Sequence, residues 1–187
     1  MKESSVPSSF FSNKMSNQQL FVILAIGSWA MLFGTLVLSL GLARVRSATW
    51  PPVDSIPLDP LLPTASTLLL FASSFLIHKG YTAYKNLDLK NFKFFWGLGC
   101  LSGFFFLAFQ ALSLGQWWQE GMRVEMNLYT STVYVFILFH AIHVLVALLG
   151  LSFKYKNAKS LTSLQLWAWF WHFIDIVWII SFPILLF

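Results

Sequence analysis

Five long stretches of this chain carry almost no charge, and short basic or proline-rich stretches separate them. Every residue between Lys14 and Arg44 is uncharged, and so are residues 60–77, 94–119 and 126–153. The last run, 160–187, holds one acid, Asp175. A helix needs about 20 apolar residues to cross the hydrocarbon of a bilayer. Each run is long enough, the second by drawing on His78 and on Lys79, whose long stem can snorkel to the interface. The runs lack the period-two alternation of a membrane β-barrel. The pattern predicts an all-α integral membrane bundle of five transmembrane helices, near 18–43, 62–84, 93–117, 129–153 and 164–186.

The segments between the helices add detail. The polar lead 1–16 is expected to be flexible, with Asn17 placed to cap the first helix. The first apolar run is too long for a cleaved signal and lacks a small-residue exit. Residues 44–63 form a stiff outer loop holding five of the seven prolines, with Trp50 as an interfacial anchor. The other connections are short, so sequential helices run antiparallel. No internal repeat is visible, and the chain reads as a single transmembrane domain.

Composition narrows the environment. The chain is 57% hydrophobic and only 10% charged, too few charges to cover a water-soluble surface. The net charge of +5 reflects lysines around a bilayer rather than affinity for nucleic acid. Lys2, Lys14, Lys79, Lys85, Lys90, Lys93, Lys154, Lys156 and Lys159 fall on one side, and Arg44, Arg46 and Arg123 on the other. By the positive-inside rule the N-terminus is cytoplasmic and the C-terminus outside. Asp54, Asp59, Glu120 and Glu125 belong to the outer loops and read as solvated acids. The single Cys100 excludes an internal disulfide and a cysteine-only metal cluster.

Candidate chemistry lies in the polar residues inside the spans. His140 and His143 are three apart in helix four, and His172 and Asp175 repeat that spacing in helix five. Trp171 and Trp178 bracket Asp175 at minus four and plus three, on the same helix face. Ionisable groups in hydrocarbon point into a bundle and pair with one another. The expected arrangement is a polar cluster where helices four and five meet, with Asp175 accepting from a histidine ring or an indole N–H. Three histidines and an acid also match the ligand number of zinc. A bis-histidine haem would need opposed ligands and a slot lined by small residues, which His140-Ala141-Ile142-His143 does not offer. Hydrogen-bonded helix packing is therefore the favoured reading over a metal or haem site. Gly97, Gly99, Cys100 and Gly103 in helix three form a small-residue stretch suited to close helix approach. Phosphate loops, nucleophile elbows and paired carboxylates are absent from the sequence.

Two motifs carry a family resemblance. FHAIHV at 139–144 resembles F-H-G-L-H-V, and WHFIDIVW at 171–178 resembles W-H-F-V-D-V-V-W, both of subunit III of the haem–copper oxidases. WPP at 50–52, STLLLFASS at 66–74, Gln110-Ala111 and Tyr129 follow in that family's order. The resemblance spans residues 20–187 and is to the short five-helix bacterial form of cytochrome c oxidase subunit III. It implies a non-catalytic chain in a bacterial inner membrane that binds no haem, copper or other metal. Haem and copper would sit in partner subunits. The implied partners are subunit I as the main interface, subunit II, phospholipids held in a cleft, and a larger respiratory assembly. The implied role is to stabilise subunit I and keep proton uptake efficient. On that reading His140, His143, His172, Asp175, Trp171, Trp178, Gln110 and Trp50 form structural polar or interface contacts. Two family glutamates are missing here, at places matching Ser28 or Trp29 and Ser113. An accessory subunit of a quinol oxidase or nitric oxide reductase, or a membrane b-type cytochrome, is the alternative.

Overall fold

The computed structural model of the protein describes residues 17–46, 49–50, 60–158 and 160–186. They form five helices: α1 (Asn17–Arg46), α2 (Leu61–Lys85), α3 (Leu89–Gln119), α4 (Leu128–Lys156) and α5 (Leu161–Leu186). All five are long and apolar enough to cross a membrane. The expected lead 1–16 and most of the proline-rich loop 44–63 lie outside the described residues.

The helices exceed the expected spans at nearly every end, and four ends pass beyond the charge-free runs. α1 continues through Arg46, α3 starts at Leu89 ahead of Lys90 and Lys93, and α4 runs on through Lys154 and Lys156. A lysine marks where hydrocarbon ends, not where backbone hydrogen bonding ends, because its stem reaches the interface while the helix continues. Lys79 lies inside α2, with its ammonium over the Phe75 and Phe95 rings. Asn17 is the first helical residue of α1.

Local chemistry sets the other ends. Leu87 takes a left-handed φ of 62° in the three-residue reversal between α2 and α3. Asp88 then caps α3, accepting from the Asn91 backbone N–H at 3.0 Å and its side-chain amide at 2.6 Å. These bonds favour the ionised form and hold the Asp88 carboxyl below the ordinary carboxylate range. α4 opens with a reciprocal capping box between Asn127 and Thr130.

The bundle centres on α2–α5, where α2 packs along α3, α5 touches α2 and α4, and α3 touches α4. Close α2–α3 approach is cemented by hydroxyls that donate across the interface, Ser73 to the Gly99 carbonyl and Ser102 to the Leu69 carbonyl. Trp96 donates to the Leu151 carbonyl at 3.0 Å, tying α3 to α4, and Tyr129 donates to the Leu185 carbonyl at 2.9 Å, tying α4 to α5. α1 leans on α4 and α5, burying only Phe33, Leu40 and Ala43 among its described side chains.

Candidate functional site

The polar residues named from the sequence do not converge on one cluster. They divide among separate helix contacts, with His140 at the centre. Its ring is 1% exposed and lies between Trp178, at 4.9 Å, and the parallel Phe136 ring, at 6.4 Å. Phe106 and Phe33 approach it edge-on at 6.0 and 6.3 Å. Its contacts are aromatic, and neither ring nitrogen has a hydrogen-bond partner among the described residues. His143, one helical turn on, faces α1 instead. It meets Trp29 at 5.0 Å and Phe33 at 5.3 Å, while its Nδ1 lies 2.6 Å from the Phe139 carbonyl oxygen of its own helix.

His172 and Asp175 face α2 rather than α4. His172 Nδ1 and Ser74 Oγ are 2.6 Å apart, and the His78 ring lies 6.1 Å beyond. Asp175 is 4% exposed with the Ser74 hydroxyl beside it, yet neither carboxyl oxygen makes a hydrogen bond among the described residues. The rotation of α5 explains the division: Trp171 and Trp178 occupy the α3–α4 side, which turns His172 toward α2. Trp171 and Leu148 both lie against Gly103. Trp178 donates its indole N–H to Thr67 Oγ1 at 3.0 Å, linking α5 to α2. Gln110 is buried, with Ser66 Oγ 3.4 Å from its carbonyl oxygen. Trp50 stacks edge-on against Tyr129 at 4.9 Å with the Arg44 guanidinium over its ring.

Ser74, His78 and Thr67 join these contacts, although the sequence pattern gave them only a place in the second span and its motif. The signal available was the serine pair ending STLLLFASS, one face-turn from a histidine. At the positions of the missing glutamates, Ser113 is buried and donates to the Phe109 carbonyl, and Ser28 donates to the Leu24 carbonyl. Each hydroxyl is satisfied by its own helix. Among the described residues no group of three His, Cys, Asp or Glu side chains could hold a metal ion.

The second feature is a cleft. Among the described helices α1 touches only α4 and α5, and a hollow of ≈ 530 Å³ opens between the three. Phe21, Ile26, Trp29, Val146, Trp167 and Phe170 are among its walls, with Asn17 and Ser163 toward the lysine-rich end. Within its wall Trp29 rests on Phe170 at 4.7 Å. Its walls are nearly all apolar, matching the chemistry of an acyl chain.

Comparison with known proteins agrees with this architecture. The family description "Cytochrome c oxidase subunit III" matches residues 13–187. A cytochrome c oxidase subunit 3 from Thermostichus vulcanus is 31% identical over 169 residues, covering 84% of this chain and 81% of the relative. One from Synechocystis sp. is 31% identical over 169 residues, covering 86% and 71%. A probable cytochrome c oxidase subunit 3 from Nocardia farcinica is 29% identical over 166 residues, covering 84% and 81%. With five spanning helices, their aromatic interior and this match over nearly its whole length, the chain is a multi-pass membrane protein that belongs to the cytochrome c oxidase subunit III family.

Proposed function

We propose that the chain is the non-catalytic subunit III of a haem–copper terminal oxidase in a bacterial inner membrane. It lies against the catalytic subunit I with subunit II in the same complex, and its lysine-rich end faces the cytoplasm. It stabilises subunit I, seats phospholipid in the cleft beside α1, and supports proton uptake. Haem and copper belong to the partner subunits.

The observation that carries this reading is the position of the intramembrane histidines. Four aromatic rings surround His140, so its contacts are those of a packed interior side chain. His143 and His172 face different helices, toward α1 and α2. These side chains act by packing helices together, the work of a stabilising subunit. The open side of α1 supports the partner reading. Cβ atoms built on Gly27, Gly34 and Gly41 would meet nothing within 4 Å, which leaves room for a neighbouring helix or lipid chain.

The test is purification of the tagged chain from its native membrane, followed by a reduced-minus-oxidised spectrum before and after the subunits are separated. The haem band is expected to follow the larger partner. His143→Ala is expected to lower the detergent melting temperature of the complex and leave haem per subunit I unchanged. Stoichiometric haem on this chain would refute the proposal and favour a b-type cytochrome.

A further inference from the structure

A second hollow, of ≈ 400 Å³, lies at the lysine-rich end, away from the cleft of α1. Lys90 and Lys93 from the start of α3 and Lys156 from the end of α4 line it, with Tyr84, Phe92 and Tyr155 as aromatic walls. We infer that it binds the phosphodiester headgroup of an anionic phospholipid.

The walls are held in place by contacts independent of any ligand. The Tyr84 ring packs against Phe92 at 5.0 Å, and its hydroxyl lies 3.4 Å from the Ala158 carbonyl oxygen across the α4–α5 connection. The Tyr155 ring lies over Gly97, where a Cβ would come within 3.1 Å of a ring carbon. Glycine at that position lets the ring settle against α3.

The charge is one-sided. Three lysine side chains line the hollow, and among the described residues no carboxylate does. The nearby acid, Asp88, lies outside the lining; as the ionised cap of α3 it attracts Lys90 and offsets part of the positive charge. The positive-inside rule accounts for lysines at this end of the bundle, but not for their gathering around a hollow. Lys79 and Lys154 show the contrast, with their ammonium groups over the Phe75, Phe95 and Phe153 rings. A phosphodiester at headgroup depth supplies the anion, and a soluble phosphate shares that chemistry. The Phe92 wall and the position at a membrane boundary favour the lipid.

The test is native mass spectrometry of the detergent-purified complex containing the full chain, titrated with phosphatidylglycerol or phosphatidylcholine. In Lys90→Gln/Lys93→Gln/Lys156→Gln, one tightly held phosphatidylglycerol is expected to be lost. Its affinity should fall on the order of a hundredfold, at about fivefold for each lysine. Lys79→Gln/Lys85→Gln/Lys154→Gln removes the same charge outside the hollow and is expected to retain that lipid. The arginine triple, Lys90→Arg/Lys93→Arg/Lys156→Arg, is expected to retain it too and serves if the glutamine triple fails to assemble. Equal loss in both glutamine triples would overturn the site in favour of diffuse attraction. Displacement by excess inorganic phosphate would overturn the lipid assignment. The site is separate from the α1 cleft, so either result leaves the oxidase reading untouched.

Discussion

Gly34 in α1 and Gly103 in α3 sit in the middle of long apolar helices, yet their surroundings are opposite. A Cβ on Gly34 would meet nothing within 4 Å. One on Gly103 would lie 2.7 Å from Leu148 Cδ2 and 2.8 Å from Trp171 Cη2. The contrast extends to whole helices. α1 is strongly apolar yet the least buried span, while α5 is the most buried. In water such an exposed surface would drive collapse. In lipid it carries no penalty, because acyl chains are as apolar as leucine. Burial in this bundle therefore follows shape and hydrogen bonding rather than hydrophobicity. α3 and α4 accept the indoles of Trp171 and Trp167 where Gly103 and Gly150 leave room. α1 stands aside and leaves the cleft.

The largest effect is expected from filling an interior glycine. Gly103→Ala should destabilise the protein by about 1–3 kcal/mol, because Trp171 and Leu148 are fully buried and cannot move aside. Thermal unfolding in detergent reads this. Gly150→Ala should cost less despite its closer clash, because Trp167 borders the open cleft and can swing into it. If the two substitutions cost the same, the cleft does not relieve strain as argued.

Trp178→Phe is expected to cost about 1–2 kcal/mol through loss of the hydrogen bond to Thr67 and of indole contact with His140. The double variant with Thr67→Val should be less destabilised than the sum of the singles. Strict additivity would deny the α2–α5 link. At the bottom of the scale, Gly34→Ala should cost nothing and stabilise by up to about 1 kcal/mol, since nothing opposes the added methyl and alanine favours the helix. A large loss of stability in the separated chain would show that α1 packs more tightly than described.

Much of the fold was legible because one rule dominates. A charge-free run of sufficient length in a lysine-punctuated chain becomes a spanning helix, and all five were placed within a few residues of their observed ends. The ends themselves were harder to read, since Lys90, Lys93, Lys154 and Lys156 continue their helices past the hydrocarbon. The candidate site was legible in its membership and not in its arrangement. His140 and Trp178 meet as ring on ring, but His172 and Asp175 turned out to face Ser74 and α2. A three-residue spacing places two side chains within about 60° on a helix, and the neighbour each one meets depends on how that helix is rotated.

The sequence by itself determined the number of spans, their membrane environment, the charge asymmetry of their ends and, through two motifs, the family. Run length, charge and motif are local properties that survive without knowledge of neighbours. Only the tertiary structure decided which face of each helix turns inward, that α1 leaves a cleft, and that three lysines from two helices surround one hollow. Those outcomes depend on matching bulky indoles to glycine gaps and hydroxyls to carbonyls across helices that are distant in the chain, and in lipid no hydrophobic gradient announces them in advance.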